Sequence, residues 1–182
     1  MTDYVALLRA VNVGGTNRVP MAELRAALEA RGFEGVSTIL ASGNVLLRST
    51  EPERVVAEQV GDTIEESFGL RIGVVVRSAA ELMAIVAHNP FLTAGGVGDP
   101  ATLHVAFLSE QPAAAAAATL DPDRSPPDAF AVDGRVVYLS YPNGAGRSRL
   151  TLDYLERRLG VDGTARNWRT VQRLAALLAT DA

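Results

Sequence analysis

Two stretches of this chain combine glycine and small polar residues with arginine just before a helix, a combination that suits the binding of an anion. The first spans residues 9 to 18 and contains Arg9, Asn12, Gly14, Gly15, Asn17 and Arg18. Glycines let neighbouring backbone N–H groups turn toward one point, and a helix N-terminus adds about half a positive charge. Such a loop can hold phosphate or carboxylate. The alternative is a tight turn whose asparagines bond to nearby backbone.

The second stretch follows a predicted strand and contains Tyr141, Arg147, Ser148 and Arg149 around two glycines. Ser148 is placed to begin the next helix or to offer its hydroxyl to an anion, and the two arginines would neutralise that anion. The alternative is an ordinary loop closed by a serine cap. Neither stretch contains a P-loop or a dinucleotide-binding glycine pattern.

A third block, residues 164 to 169, adds Arg166 and Arg169 to the candidate ligand-binding residues. Asn167 is a natural N-cap for the last helix and Trp168 a natural core residue, so structure alone accounts for both. The two arginines are the residues that structural needs explain least.

Few other groups in the chain could do chemistry. His88 and His104 are the two histidines, and cysteine is absent, so a disulfide, a thiolate zinc site and a cysteine nucleophile are excluded. No nucleophile elbow is present, and nothing local supports a serine–histidine–aspartate triad. We expect no metal site and no cofactor, and the sequence identifies no catalytic residue.

Composition and charge narrow the classes of partner. The net charge is −4, and all 17 basic residues are arginine. An acidic chain does not favour non-specific binding to nucleic acid or anionic lipid. No apolar run approaches the roughly 20 residues of a membrane span, and no signal peptide is apparent. We therefore expect a cytoplasmic protein, for which the sequence leaves the oligomeric state open.

The strands and helices that position these residues are predicted from the spacing of apolar residues and from helix-capping residues. In the first half we predict strand, helix, hairpin, helix, strand and helix. Their main segments are Tyr4–Arg9, Pro20–Gly32, Val36–Ala41 with Val45–Arg48, a helix with a Thr50/Glu53 capping box that ends at Gly69, Ile72–Arg77, and a helix with a Ser78/Glu81 capping box.

The second half repeats this order less cleanly. Its predicted segments are Thr102–Leu108, an alanine-rich helix Pro112–Leu120, a hairpin around Asp133–Gly134, a helix Ser148–Leu159 ended by Gly160, a weak strand near Thr164–Asn167, and a last helix. We predict an α+β fold of two tandem ferredoxin-like βαββαβ units with antiparallel sheets. The expected domains are residues 1–92 and residues 100–182, the second including the C-terminal helix, with the glycine-rich segment Phe91–Pro100 as their boundary. Within one unit, we expect both helices to begin at the same end of the sheet.

Several blocks together resemble one protein family. They are YVALLRAVNVGGTNRVPMAELRAALEARGF, TILASGNVLL, VVVRSAAEL, HNPF, VVYLSYPNGAGRSRL and TARNWRTVQRL. The chain is similar over nearly its whole length to the bacterial "domain of unknown function 1697" family. The resemblance implies a two-part ferredoxin-like α+β fold and no particular reaction. Members often carry lysine near the SGNV, GRS and RNW blocks, where this chain has arginine or no basic residue. No mechanism that needs a lysine amine is expected.

The function that these observations favour is binding of a small anionic ligand such as a nucleotide or a phosphorylated metabolite. Whether the protein also acts on this ligand as an enzyme is left open by the sequence. The glycine loops before helix N-termini would form the site. Nucleic-acid binding is an alternative, but it needs aromatic residues on central strands, and aromatics make up 5% of the chain. A non-catalytic protein-interaction module is the other alternative.

Overall fold

The computed structural model describes residues 1–92 and 99–180, and it shows an α+β fold. In chain order, its strands and helices are β1 (Thr2–Leu8), α1 (Met21–Ala30), β2 (Glu34–Ile39), β3 (Asn44–Ser49), α2 (Glu53–Phe68), β4 (Val74–Ser78), α3 (Ala79–Ala87), β5 (Leu103–Leu108), α4 (Ala114–Ala117), β6 (Ala129–Asp133), β7 (Val136–Ser140), α5 (Leu152–Leu159), β8 (Gly163–Asn167) and α6 (Trp168–Thr180). The predicted antiparallel α+β architecture is confirmed.

The chain divides into two compact units. The first contains Met1–Met83 together with the chain from Leu174 onward, and the second contains Ala84–Arg173. The sequence-based division differs in its bounds, because the unit boundaries fall inside α3 and α6 rather than between elements. Residues 93–98 of the predicted boundary segment lie outside the described residues.

The sheet of the first unit has the strand order β2-β3-β1-β4. β1 is antiparallel to both of its neighbours: Val5 lies opposite Leu46 of β3 and opposite Arg77 of β4. Alternate residues of β1, such as Ala6 and Leu8, belong to the core that also contains the buried residues of α1 and α2. The period of two in a strand gives each sheet face its own set of side chains.

The sheet of the second unit has the order β6-β7-β5-β8. β5 is antiparallel to β7 and β8, with Val105 opposite Tyr138 and Arg166. Ala106 and Leu108 contribute to a core that also holds Tyr154 and Leu155 of α5. Each unit therefore places its first strand in the sheet interior, between its third and fourth strands.

Local capping signals were predicted with mixed success. The Ser78/Glu81 capping box is confirmed: the Glu81 carboxylate accepts from the Ser78 N–H at 3.0 Å, and Ser78 Oγ accepts from the Glu81 N–H at 3.2 Å. The Thr50/Glu53 box is wrong. Pro52 occupies the N-cap position of α2 and has no side chain that can bond to the helix end, so Glu53 is the first helical residue rather than the third.

Two helices of the second unit begin or extend differently from the prediction. α5 starts at Leu152, where Thr151 Oγ1 accepts from the Tyr154 N–H at 3.2 Å, so Ser148 is not its cap. α4 contains four residues, because its alanines offer no large apolar face to bury and short isolated helices are marginal. Among the described residues, no helix is both long and apolar enough to cross a membrane.

The antiparallel pairing also corrects the expectation about helix starts. Because β1 and β3 run in opposite directions, the chain leaves them at opposite ends of the sheet, and α1 and α2 begin at opposite ends too. The same holds for β5 and β7 in the second unit. The first glycine loop follows the first strand of its unit, whereas the second follows the third strand of its unit. The two loops are therefore not equivalent positions of a repeated fold.

Candidate anion-binding site

The glycine pair of the first loop forms a tight turn. Gly14 and Gly15 have φ angles of +61° and +79°, and the Thr16 N–H donates to the Val13 carbonyl at 3.2 Å. Positive φ at both central residues is the conformation of a two-residue hairpin turn, which glycine adopts without a Cβ penalty. The turn alone therefore accounts for both glycines.

The asparagines of the first loop hold its backbone in place. Asn12 Nδ2 donates to the carbonyls of Val19 at 2.9 Å and Ala41 at 2.8 Å, and its Oδ1 accepts from the Val19 N–H at 3.0 Å. Asn17 Nδ2 donates to the Ala10 carbonyl at 3.2 Å. Both amides thus act within the protein, as the structural alternative predicted.

The two arginines of this loop differ in their surroundings. The Arg9 N–H donates to the Gly73 carbonyl at 2.9 Å, and its half-buried side chain lies against Gly73. Arg18 is exposed, and it makes no hydrogen bond or ion pair with the part of the chain that the structure describes. Arg18 is therefore the residue of this loop best placed to meet another molecule.

Five backbone N–H groups of the second glycine loop are already bonded within the protein. Its N–H groups donate to protein oxygens as follows: Gly144 to Tyr141 O, Arg147 to Gly144 O, Ser148 to Ala145 O, Arg149 to Ser125 Oγ and Leu150 to Ser148 Oγ. These donors cannot also cradle an anion without breaking those bonds. The amides of Asn143, Ala145 and Gly146 are not among these bonded donors.

Tyr141 supports the second loop from inside the core. It is 5% exposed, and its hydroxyl donates to the Leu150 carbonyl at 2.8 Å. Burial raises the pKa of Tyr141, so the hydroxyl stays protonated at neutral pH. The His104 ring meets the Tyr141 ring edge-on at 5.2 Å, and burial lowers the pKa of His104, an effect that the Thr102 backbone opposes. Both residues thus hold the loop as neutral groups.

A cluster of arginines surrounds Tyr154 in the second unit. The guanidinium carbon of Arg124 lies 4.8 Å from the centre of the Tyr154 ring, and that of Arg158 lies 5.7 Å from it. The ring is fixed, because Tyr154 is 4% exposed and its hydroxyl accepts from the Asp121 N–H at 2.9 Å. Both distances are within the range of cation–π attraction.

The second glycine loop contacts Arg124 and its neighbour Ser125 through the backbone of Arg149. Arg124 Nε donates to the Arg149 carbonyl at 3.4 Å, and the Arg149 N–H donates to Ser125 Oγ at 3.1 Å. Arg147 is two residues away on the same exposed loop. We call Arg124, Arg147, Arg149 and Arg158 the arginine cluster.

The arginine cluster differs in its ion pairs from five arginines of the first unit. Arg25, Arg31, Arg54, Arg71 and Arg77 of the first unit all lie within 4.0 Å of a carboxylate. No carboxylate of the described chain lies that close to a member of the arginine cluster. The positive charge of the cluster is thus not neutralised by direct ion pairs there.

Arg166 lies in the protein interior rather than on a ligand surface. It is 8% exposed, its Nη1 donates to Thr164 Oγ1 and to the Ala165 carbonyl at 2.8 Å, and burial lowers its pKa to about 10. Arg77 is the buried counterpart of Arg166 in the first unit. Its Nη1 likewise donates to the carbonyl of the preceding residue, Val76, at 2.7 Å. Arg169, by contrast, is exposed near the start of α6.

Of the predicted residues, the structure therefore brings Arg149 next to Arg124. The sequence patterns indicated neither Arg124 nor Tyr154. Arg124 and Tyr154 are 30 residues apart, and no local pattern connects them. The proline-rich loop that carries Arg124 gives no ligand signal of its own.

Elsewhere in the described chain, one surface cleft does not suit an anion, and no metal site is found. A surface cleft of about 430 Å³ in the first unit is lined by Glu58, Asp62 and Glu65, and its one arginine, Arg71, donates from Nε to Glu65 at 2.7 Å. Within the described ranges, no group of three histidine or acidic side chains is arranged to hold a metal ion.

Comparisons with known proteins agree on the fold and name no activity. The family described as "Protein of unknown function (DUF1697)" matches residues 1–138. The solved structure of conserved bacterial protein SP0830 from Streptococcus pneumoniae is 22% identical, covers 97% of this chain and 98% of its own, and superposes with a TM-score of 0.75. A comparison with curated proteins finds no match. Since the family match covers well over half of the chain, the chain belongs to the DUF1697 family of proteins of unknown function.

Proposed function

We propose that this protein binds a small anionic ligand, a nucleotide or a phosphorylated metabolite, through the arginine cluster of the second unit. The observation that carries the proposal is the placement of two guanidinium groups, those of Arg124 and Arg158, on one buried tyrosine ring. No carboxylate of the described residues lies within ion-pairing distance of either group.

The arrangement favours an anion for electrostatic reasons. Like charges held near one another repel, and an anion placed between them relieves the repulsion and gains charge-assisted hydrogen bonds. Nearby Asp121 forms no ion pair with these arginines in the described structure. Its Oδ1 instead accepts a hydrogen bond from the Asp123 N–H at 2.9 Å. Because Tyr154 holds the Arg124 guanidinium and Ser125 holds the backbone of Arg149, part of the ordering cost of binding is met before the ligand arrives.

Phosphate groups fit this site better than single carboxylates. A guanidinium presents a planar fork of donors that matches phosphate oxygens, and several forks can share one polyphosphate. Five backbone N–H groups of the second glycine loop are occupied by protein bonds, so the main contacts proposed here are made by arginine side chains. The first loop, with Arg9, Asn12, Gly14, Gly15, Asn17 and Arg18, stays a predicted second anion site.

The test is a thermal-shift panel of ATP, ADP, sugar phosphates and tripolyphosphate with the wild-type chain and two variants. We expect polyphosphate ligands to raise the Tm of the wild type. Arg124→Gln and Arg149→Gln should each weaken the apparent affinity about tenfold, since a charge-assisted hydrogen bond contributes roughly 1.5–3 kcal/mol. Arg54→Gln is the matched control, because Arg54 is exposed and pairs only with Glu58 in the first unit.

The outcome that would refute this function is equally specific. No Tm shift at millimolar ligand would refute it, and so would an equal loss of affinity in Arg54→Gln and Arg124→Gln. The first result would exclude the ligand class, whereas the second would mean that only overall charge matters.

We also propose that the units are tandem ferredoxin-like folds. The element order in each unit and the sheet orders β2-β3-β1-β4 and β6-β7-β5-β8 support this. Matching backbone bonds support it further. Leu8 N–H donates to Gly43 O and Leu108 N–H to Arg135 O, while Arg9 N–H donates to Gly73 O and Ser109 N–H to Asp162 O. The expected cytoplasmic location stays a prediction.

The nucleic-acid alternative gains no support from the sheets. RNA-binding sheets of this strand order present stacking aromatics on an open face. Here the central strands β1, β3, β5 and β7 are largely buried on both faces in the described structure. We therefore place the proposed ligand at the arginine cluster rather than on a sheet.

A further inference from the structure

We propose that the loops at the end of β1 form a docking surface for an acidic segment of a partner protein that also carries an apolar side chain. The surface consists of Val13, Arg18 and Leu40, and we call it the loop surface. It belongs to the first unit, whereas the arginine cluster belongs to the second.

Two of the exposed large apolar residues in the described chain lie on neighbouring loops. Val13 is 59% exposed and Leu40 is 49% exposed. Their neighbours in sequence, Asn12 and Ala41, are joined by the 2.8 Å hydrogen bond from Asn12 Nδ2 to the Ala41 carbonyl. The two loops that carry Val13 and Leu40 are thus joined directly by a hydrogen bond.

Leu40 occupies a backbone conformation that disfavours leucine. Its φ is +62°, in the left-handed region where residues with a Cβ are strained and where glycine or asparagine is the usual occupant. Its side chain is half exposed, so burial does not offset the strain. Folding therefore gives no reason for leucine at this position, whereas an apolar contact with a partner would. Strained residues often mark binding sites for this reason.

The loop surface is held rigidly. Gly43 follows Leu40 by three residues, and a Cβ there would lie 2.8 Å from Leu8 Cβ and 3.2 Å from Val11 Cβ, so the hairpin turn is pressed against the end of β1. The Leu8 N–H also donates to the Gly43 carbonyl at 2.8 Å. A rigid surface loses little entropy when a partner docks.

Charge selects the kind of partner. Residues 9–20 and 40–44 contain two arginines and no aspartate or glutamate. Arg18 is exposed and makes no ion pair with the described residues. An acidic segment would complement this charge, and an apolar side chain on it would cover Val13 and Leu40.

The test selects a phage-displayed random peptide library on the full-length chain and measures the enriched peptides by fluorescence anisotropy. We expect the selection to enrich acidic peptides that contain an apolar residue. These peptides should bind the Leu40→Asn and Arg18→Gln variants at least tenfold more weakly than they bind the wild type. Asparagine tolerates left-handed φ, so Leu40→Asn should fold with a Tm at or above that of the wild type. Met83→Gln is the matched control, because Met83 is exposed to 39% on α3, and its affinity should be unchanged.

Three results would overturn the proposal. The library could yield no acidic binder, or the binders could show equal affinity for Leu40→Asn and the wild type. Light scattering could instead reveal a dimer of this chain that Leu40→Asn dissociates, which would assign the loop surface to a second copy.

Discussion

Arg77 and Glu53 form an ion pair in the first unit, with Nη1 of the arginine 3.5 Å from Oε1 of the glutamate. Arg77 is 1% exposed on β4, and Glu53 is the first residue of α2. The pair therefore ties the start of a helix to the last strand of its sheet. Removing one partner of such a pair leaves a buried charge without its counter-ion, which is costly.

We expect Glu53→Gln to destabilise the protein because it removes a carboxylate from beside the buried Arg77 guanidinium, and Arg77→Leu to do so because it removes the guanidinium that ties α2 to β4. The expected loss for Arg77→Leu is about 3 kcal/mol in the free energy of unfolding, measured by urea denaturation. Arg25→Leu is the control: its pair with Glu29 is exposed and should contribute less than about 0.5 kcal/mol. Equal losses in the two arginine variants would show that the Arg77 ion pair has no special structural role.

Gly43 should tolerate no side chain. Its φ is +78° and a Cβ added to it would lie only 2.8 Å from Leu8 Cβ, whereas Gly69 has a φ of +67° and open space around it. Gly43→Ala should therefore cost about 2–4 kcal/mol, the sum of backbone strain and overpacking, while Gly69→Ala should cost about 1 kcal/mol. Chemical denaturation of both variants makes the comparison, and a loss for Gly43→Ala no larger than that for Gly69→Ala would contradict the packing of this turn.

These two glycines show what the sequence could and could not predict. Gly69 was predicted as a helix end because glycine after an amphipathic stripe is a local signal, and the same reasoning located Gly160 and the Asp133–Gly134 turn. The close approach of Gly43 to Leu8 depends on strand pairing across 35 residues, which no local pattern encodes. The sequence around Gly43 contains no local feature that predicts this contact.

The candidate site shows the same limit. Arg147, Ser148 and Arg149 were found because a glycine loop with arginines is a recognisable local pattern. The cap role predicted for Ser148 is wrong, since Thr151 is the N-cap of α5. Arg124 could not be found at all, because its relation to the loop exists only after Tyr154 is buried.

Tyr138 should make the protein sensitive to alkali. Burial raises its pKa to about 12, with a smaller contribution from Asp133, so the folded state keeps the phenol proton above the ordinary value of about 10. The stabilisation is complete below pH 10 and is lost as the pH rises from 10 toward 12. The free energy of unfolding should therefore fall over this interval, and by less in Tyr138→Phe. An identical decline in Tyr138→Phe and the wild type would remove Tyr138 as the cause.

Leu40→Gly should stabilise the folded protein, because glycine relieves the strain of the left-handed backbone at this position. The greater conformational freedom of glycine in the unfolded chain should offset part of this gain. The relief is about 1–2 kcal/mol and the offset about 0.5–1 kcal/mol, so the expected net gain is below about 1.5 kcal/mol. Differential scanning calorimetry should show a small rise in Tm. A marked fall in Tm would mean that the Leu40 side chain stabilises the fold, which would count against a docking role for the loop surface.

The measurement that tests the central claim most directly is calorimetric titration of tripolyphosphate into the wild type, Arg124→Gln, Arg149→Gln and Arg54→Gln at two salt concentrations. We expect wild-type binding that weakens as salt rises, because part of its free energy is electrostatic. Both cluster variants should bind about tenfold more weakly, and Arg54→Gln should match the wild type. Undetectable binding to the wild type, or indistinguishable affinities in all four proteins, would contradict an anion site at the arginine cluster.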